Sequence, residues 1–533
     1  MKILAVIPAR SGSKGIPNKN IRLLAGYPMI YYAINNAKKS NYISDIIVTT
    51  DSPEIQIIAS QMGVDCKWRS FELCKDDVTL DAVVYDAIPN STIWDYIITL
   101  QPTSPTLSVK TLDQAIRVTM DLNLDTLISV VNSPHLTWRD EGGIKIPNYT
   151  KRLNRQYLAP LYVETGTFLI TKACFVSPES RIGPNVDVFE VPADEAIDID
   201  NFDDLYNAAN ILCKEKVAIY VNGNNTRGIG HIYRALEMAD EFYTKPDIYY
   251  DSNQTDPSVF GITTHSLISV NGIGELFEKC KINQYTIFIN DILSTSIDYM
   301  IGLRTVLPKA KIINFEDDGE GAIKADAVFN ALYDDGNMPH IYGGEQYYIS
   351  GKLFLFYHPI TIKEKVSTIF ICFGGADPEN YTDRILEIIV TEKYKDYHFI
   401  VALGRAKTNI KSLLEYNHYP NIEVIYDVSN MPELMSKSDI AIASRGRTCY
   451  ELAMLGIPTI SIAENDRENR HSFVSGENGF AYLGIDPENK MIEEYLDMYL
   501  GMSQKVRQHY QNILISHNLR NGRKNVMNII NNL

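Results

Sequence analysis

Apolar, β-branched runs alternate with segments whose apolar residues recur at helical spacing through the first part of the chain. KILAVIP and DIIVTTD end in turn residues and read as strands. PMIYYAINNAKKS and PEIQIIASQMG follow them as amphipathic helices. YIITLQPTSP, VKTLDQAIRVTMDL and TLISVVN continue the series. This alternation predicts a mostly parallel sheet covered by helices, whose ligands sit outside the carboxyl ends of the strands. Arg10, Asp51 and Gln101 each come just after a predicted strand, so the fold would gather them on one rim. HLTWRDEGGIKIPNYTKRLNRQYLAPLY breaks the pattern and is expected to form an excursion, a lid or a dimer contact. The sheet resumes with TGTFLITK. VFEVPADEAIDIDNFDDLYNAANILCKEK then passes from a strand through an acidic turn into a helix from about Phe202 to Lys214.

The plan restarts at KVAIYVNGNNTRGIGHIYRALEMADEF, and again at STIFICFGGADPENYTDRILEII, each time as strand, glycine turn and helix. The segments do not match one another, so this is no internal repeat. The predicted class is α/β: a Rossmann-like domain over 1–214, then Rossmann-like lobes over 215–360 and 361–533.

Composition narrows the chemistry. A chain of 533 residues exceeds one core, and 45% hydrophobic with 22% charged residues is ordinary for a soluble globular protein. No apolar run reaches the roughly 20 residues of a membrane helix, so no membrane is expected as a partner. Cys66, Cys74, Cys174, Cys213, Cys280, Cys372 and Cys449 lie far apart without a CxxC, reading as reduced thiols of a cytoplasmic protein. A net charge of −16 argues against nucleic acid, which needs a basic face. An anionic ligand must therefore be caught locally, by placed cations and backbone N–H groups.

ILAVIPARSGSKGIPNKNI has that character, with Arg10, Lys14 and Lys19 among Gly12 and Gly15 directly behind a strand. Glycines let backbone approach phosphate, and each cation adds a charge-assisted hydrogen bond worth roughly 1.5–3 kcal/mol. The turn lacks the GxxxxGK[ST] form of a Walker loop. Triphosphate binding is the functional reading; a solvated basic turn is the alternative. In EAIDIDNFDD, Asp198 and Asp200 share a face of an extended segment and could hold a hard cation such as Mg²⁺. An acidic helix N-terminus is the alternative, which suits Asp203 and Asp204 better than Asp198.

IPARSGSKGIPNKNI, TTDS, LQPTSP, NRQ, ETGTFLITK and EAIDIDNFDD stand in an order and spacing that resemble the CMP-sialic acid synthetases, or acylneuraminate cytidylyltransferases, from residue 1 to about 214. The related CMP-Kdo synthetases lack the SGSKGIPxKN form, which places the chain in the nonulosonate branch. The resemblance implies that Arg10, Ser13, Lys14, Lys19 and Asn20 form a CTP-binding turn. Arg69 and Ser70 stand where the family has an Arg-Pro pair near the nucleotide. Gln101 would contact the sugar acid, while Asp198 and Asp200 would hold Mg²⁺. Arg155 and Gln156 match the family's RQ pair, and Glu164 its glutamate before Asn-Gly. LQPTSPTL lacks the arginine usual after SPL, and ETG replaces the common ENG; both departures lie towards the sugar. The implied reaction is attack of the anomeric 2-hydroxyl of a nine-carbon keto acid on the α-phosphorus of CTP, with Arg10, Lys19 and Asp200 as catalytic groups. His135 is the only histidine of this domain and lies in the excursion, so no histidine base is expected. Family habit implies a homodimer through the first domain.

In NTRGIGHIYRALEMA, His231 falls at a predicted helix start behind Gly228 and Gly230, where an anion is favoured. It could serve as a general base for water, or be a polar helix-start residue. GIGHIYRAL, FEDDGEGAIKADAVFNALY, FGGADPENYTD and SRGRTCYELAMLGIPTISI look like the pseudaminic-acid-pathway hydrolase family, whose enzyme cleaves UDP from a diacetamido-trideoxy sugar on a two-lobed GT-B architecture. The likeness covers about 215–485. It implies His231 as the water-activating catalytic residue, Thr448 on the UDP phosphates and Glu451 at the ribose or uracil end. Arg445 and Arg447 replace the family's small residues before the threonine. IYGGEQYYISGKLF only loosely follows its Gly-Pro-x-Tyr-x-x-Leu-Arg pattern. Hydrolase, 2-epimerase-like hydrolase, glycosyltransferase and non-catalytic nucleotide-sugar scaffold all remain readings of this second site.

Overall fold

Along the first strand, Ile3, Ala5 and Ile7 enter one apolar cluster and Leu4 and Val6 another. None of the five is more than 2% exposed. Burial on both faces is what a run without polar alternation demands, and it fixes a central position in a sheet covered on both sides. The computed structural model describes residues 1–12, 15–89, 93–223, 230–261, 263–333, 338–428 and 430–533. Ser13, Lys14 and Gly228 lie outside them. The chain divides into two units, Met1–Lys214 and Glu215–Leu533.

The first unit is built on seven strands: β1 (Ile3–Pro8), β2 (Asp45–Thr50), β3 (Asp65–Trp68), β4 (Tyr96–Leu100), β5 (Thr126–Asn132), β6 (Tyr162–Lys172) and β7 (Val186–Glu190). Their order is β7-β5-β6-β4-β1-β2-β3. All pairs are parallel except those of β6, which runs antiparallel to β4 and β5. The excursion reverses the chain ahead of β6. It carries an antiparallel hairpin of Trp138–Glu141 with Ile144–Pro147, turned through Gly142 and Gly143. Trp138, Ile144 and Tyr157 are exposed on it.

The acidic run after β7 divides its labour. Asn201 caps the helix Phe202–Leu212, accepting from the Asp204 N–H, while the Asp204 carboxylate accepts from the Asp200 and Asn201 N–H groups. This reciprocal arrangement is a capping box with Asp in the role usually held by Glu. Asp204 is thus a helix cap, and Asp198 and Asp200 are free of that task.

In the second unit, the first lobe has a wholly parallel seven-stranded sheet with Val217–Val221 and Ile287–Asp291 adjacent near its middle. The second lobe has a wholly parallel six-stranded sheet centred on Thr368–Cys372 and Ile440–Ser444. The final helix, Gly522–Asn532, returns to the first lobe. There Val526 and Ile530 join the core of Val217, Ile219 and Ile289, and Arg523 donates to Glu237 at 2.6 Å and Glu241 at 2.7 Å. The chain end therefore clasps the lobe that began the unit. Among the described residues no helix is long and apolar enough to cross a membrane.

Ile98, on β4, is fully buried in the larger cluster of the first unit. Ile98→Ala is expected to destabilise that unit by about 2–5 kcal/mol through lost transfer energy and a residual cavity. Urea unfolding followed by circular dichroism should show this as an earlier first-unit transition.

Candidate active sites

The carboxyl ends of β1 and β4 open onto a cavity of about 410 Å³ lined by Arg10, Gly12, Gly15, Lys19, Asn20, Arg69, Lys75, Gln101, Thr103 and Asp200, among others. Each cation is braced. Arg10 donates to the Cys74 carbonyl at 3.0 Å and pairs with Asp76 at 2.8 Å. Lys19 donates to the Ile199 carbonyl at 2.8 Å and to Asp200 at 3.1 Å. Arg69 is buried and donates to the Thr49 carbonyl at 2.8 Å; burial lowers its pKa, although an arginine stays charged. The buried Asn20 side chain donates to the Arg10 carbonyl at 2.9 Å, so it shapes the turn. Asp51 accepts from the Ser11 N–H and hydroxyl at 2.7 and 2.8 Å, and these bonds keep its carboxyl below the usual range against the opposing effect of burial.

Two glycines set the approach of the acidic segment. A Cβ on Gly15 would lie 2.2 Å from the Asp200 carbonyl oxygen. Gly166, at φ +70°, sits at the bulge of β6, where a Cβ would meet Gln101 Nε2 at 2.9 Å and Asp198 Oδ2 at 3.3 Å. Asp198 and Gln101 thus share one wall. Burial pushes the Asp198 carboxyl up, and the nearby Asp200 adds to this, with Thr103 and Lys19 opposing. Its Oδ1 is buried without a hydrogen-bond partner. A buried carboxylate oxygen lacking a donor, beside a solvent-facing Asp200, fits a hard divalent cation.

The structure therefore brings Arg10, Lys19, Asn20, Arg69, Gln101 and Asp200 around one cavity, with Asp198 against its Gln101 wall. Ser70, Arg155, Gln156 and Glu164 do not line it. Ser70 is exposed beyond Arg69, Arg155 and Gln156 form an exposed 3₁₀ turn, and Glu164 is exposed on β6 opposite Val130. Asp76, Lys75 and Thr103 were missed by the sequence reading. CKDD and PTSP are too short and polar to distinguish from ordinary turns.

In the second unit a cavity of about 190 Å³ lies between the lobes. One wall is formed by Gly230, His231, Arg234 and Glu316, and the other by Gly374, Gly375, Gly446, Thr448, Glu464, Arg467, Glu468 and His471. His231 is in the first turn of the helix Gly230–Ala239, and Thr448 in that of the helix Arg447–Met454. His231 Nδ1 lies 2.6 Å from Asp291, which also receives two hydrogen bonds from Arg234 at 2.6 and 2.7 Å. Arg234 donates onward to Glu316 at 3.0 Å. Burial would raise the Asp291 carboxyl, but Arg234 and His231 hold it down at about 2. Burial lowers the His231 pKa, with Asp291 opposing and Arg234 and Arg467 assisting.

Glu451 lies off this cavity on the Thr448 helix; burial pushes its carboxyl up to about 7, against Arg447. Arg445 and Arg447 are both committed to packing. Arg445 stacks 3.7 Å from the Tyr482 ring centroid and donates to the Asn469 carbonyl at 2.8 Å. Arg447 donates to the Ile349 carbonyl at 2.6 Å and lies over Tyr348. Asp291, Arg234, Glu316 and Arg467 were not singled out from the sequence, since they are scattered over two strand ends and two helices.

Residues 4–172 match the cytidylyltransferase family, and residues 368–511 the glycosyltransferase family 28 C-terminal domain. The N-acylneuraminate cytidylyltransferase of Streptococcus agalactiae serotype V is 32% identical over 221 residues, covering 40% of this chain and 54% of that protein. The CMP-N,N'-diacetyllegionaminic acid synthase of Legionella pneumophila is 41% identical over 123 residues, or 22% of this chain and 53% of that one. The spore coat polysaccharide biosynthesis protein SpsG of Bacillus subtilis is 24% identical over 50% of this chain and 84% of its own length. Among solved structures, the Anabaena HepE protein in complex with UDP aligns with 60% of this chain at 9% identity and a TM-score of 0.41. The chain spans about half the length of the two cytidylyl-type relatives. It joins a cytidylyltransferase domain to a second unit that carries a glycosyltransferase family 28 C-terminal domain. More particularly, the first domain has homologues among the CMP-sialic acid synthetases, and the family 28 match falls in the second lobe of the second unit.

Glu464 and Glu468 give the second cavity a pH signature. The Glu464 N–H donates to Glu468 at 2.9 Å, and Glu464 Oε1 is buried without a partner. Burial pushes both carboxyls up, and Glu468 and Asp377 add to the effect on Glu464. A raised folded pKa contributes stability that is complete below the unfolded value near 4 and is lost as pH rises. Glu464→Gln, which keeps the neutral form, should therefore gain thermal stability over wild type increasingly from pH 5 to pH 9 in melting curves.

Proposed function

We propose that the first unit transfers a cytidylyl group from CTP to the anomeric hydroxyl of a nonulosonic acid, releasing pyrophosphate. The observation that carries this reading is the convergence of Arg10, Lys19, Arg69 and Gln101 on one cavity with Asp200, beside the orphaned Asp198 oxygen. In an acidic chain, such a cation cluster suits a triphosphate. Arg10 and Lys19 bind the phosphates and offset charge as pyrophosphate leaves. Gln101 holds the sugar acid by its amide. Asp198 and Asp200 would hold Mg²⁺, which when bound lowers the pKa of an attacking hydroxyl and neutralises phosphate charge. The relatives named for N-acylneuraminate and diacetyllegionaminic acid support a nine-carbon acid as acceptor. The exposed Trp138, Ile144 and Tyr157 support a homodimer through the excursion. Cytoplasmic CTP supply suits a cytoplasmic enzyme.

The second unit, on this reading, cleaves a UDP-sugar. The interlobe cavity pairs a histidine base with an anion-favouring wall of Gly374, Gly375 and the Thr448 helix start. His231 takes a proton from water or an acceptor hydroxyl as that oxygen bonds to the sugar carbon, and UDP leaves with the C–O bonding pair. Incubation with UDP-sugars separates the cases. Free UDP without acceptor means hydrolysis, UDP only with acceptor means transfer, and binding without turnover means a scaffold.

Asp200→Ala should lower pyrophosphate release at least about a hundredfold at unchanged circular dichroism; retained turnover would remove the carboxylate pair from the reaction. Gly15→Ala, by forcing the acidic segment away, should weaken Mg²⁺–CTP binding about tenfold in calorimetry.

A further inference from the structure

His231 does not stand alone at its cavity wall. The ring has two nitrogens, and only one with a free lone pair can accept a proton. Asp291 Oδ1 is 2.6 Å from Nδ1, and Asp291 can only accept when ionised, so Nδ1 carries the hydrogen. Arg234 Nη2 lies 3.1 Å from the same nitrogen and gives one of its two hydrogens to Asp291 Oδ1 at 2.6 Å; were the other to go to a lone pair on Nδ1, that lone pair and the ionised Oδ1 would face each other at 2.6 Å with no hydrogen between them. Among the described residues, nothing hydrogen-bonds Nε2, and the ring lines the interlobe cavity.

The support beneath the histidine is unusually complete. Side-chain exposure is 1% for Asp291, 3% for Arg234 and 2% for Glu316. Arg234 grips Asp291 through two nitrogens and passes its third to Glu316. Its guanidinium also lies 5.2 Å from the Phe315 ring centroid. A buried ion pair of this kind adds little net stability, because desolvation offsets the attraction. What it does fix is geometry: the planar guanidinium holds the carboxylate, and the carboxylate holds the imidazole.

We infer that Asp291 and Arg234 are a positioning pair that locks His231 as the Nδ1–H tautomer, leaving the Nε2 lone pair for a substrate proton. Asp291 orients the ring and receives the positive charge that forms on it, while Arg234 keeps Asp291 ionised and in place. The inference rests on the reading of His231 as a base in UDP-sugar cleavage, but its central measurement does not need turnover.

The test uses the full chain labelled with ¹⁵N-histidine. His231→Gln identifies the His231 signals, and the paired ring ¹⁵N shifts report which nitrogen carries the hydrogen. The expected wild-type result at pH 7.5 is Nδ1–H, and a wild-type Nε2–H tautomer would overturn the inference outright. Asp291→Asn, whose amide can donate to Nδ1, is expected to move the ring to Nε2–H. The same variant should lower kcat for UDP release about a hundredfold or more while leaving KM within about threefold, since a base with the wrong tautomer still sits in a formed cavity. Unchanged tautomer and unchanged kcat in a folded Asp291→Asn protein would also overturn it. Should that variant fail to fold, Arg234→Lys keeps the charge and loses the two-pronged grip. A mixture of tautomers there supports the pair, and a ring locked as in wild type refutes Arg234's part. If wild type releases UDP from no UDP-sugar, the reading of the second unit fails while the tautomer result still decides this one.

Discussion

Lys19 reaches across 180 positions of sequence to the Ile199 carbonyl and the Asp200 carboxylate, and the first site depends on that closure. It draws the basic turn behind β1 onto the acidic segment behind β7. Gly15 makes the approach possible, since any side chain there would strike the Asp200 carbonyl. The positive turn and the negative segment are each unremarkable alone. Joined, they present cations and Asp200 to one cavity, with Asp198 against its Gln101 wall. Asp204 contributes by satisfying the Asp200 and Asn201 N–H groups, which fixes the turn that carries Asp200.

Much of this was legible because the sheet is buried on both faces. Continuous apolar runs such as KILAVIP and YIITL fix strands of a parallel sheet, and the topology then gathers the residues behind them on one rim. Arg10 and Gln101 were found in that way. Arg155, Gln156 and Glu164 were placed by likeness of motif alone. The first two stand on an exposed turn of the excursion and Glu164 on the exposed start of the antiparallel β6, so the rim logic had no hold on them. The antiparallel setting of β6 was likewise beyond a strand-by-strand reading, because direction is decided by where the excursion returns.

The second site was legible at its ends and opaque in its middle. His231 and Thr448 stand at helix starts behind glycines, a pattern visible in the letters. Asp291, Arg234 and Glu316 are a buried polar network, and nothing in the spacing of INDIL, IYRAL or NFEDD announces that they meet. Each looks like an ordinary strand end or helix residue until the sheet order sets Ile287–Asp291 beside Val217–Val221. Arg445 and Arg447 show the converse. Two arginines ahead of a phosphate-type threonine suggest extra grip on an anion, yet both are occupied with tyrosine rings and backbone carbonyls.

That occupation leaves a charge problem whose solution is instructive. The interlobe cavity is lined by Glu316, Glu464 and Glu468 as well as by Arg234, Arg447, Arg467 and His231. Were all three acids ionised, they would repel a diphosphate at contact range inside a poorly solvated space. Arg234 is spent on Asp291 and Glu316, whereas Arg467 bonds the neutral Tyr333 hydroxyl and Glu316 carbonyl and keeps its positive charge beside Glu316. Burial pushes all three carboxyls up, while Glu316 keeps its ion pair with Arg234 and is opposed by Arg234, Arg447 and Arg467. Glu464 Oε1, buried without a partner, can donate to a sugar hydroxyl or a phosphate oxygen in its neutral form. The same desolvation that makes the cavity costly to fold also lowers the negative charge it presents.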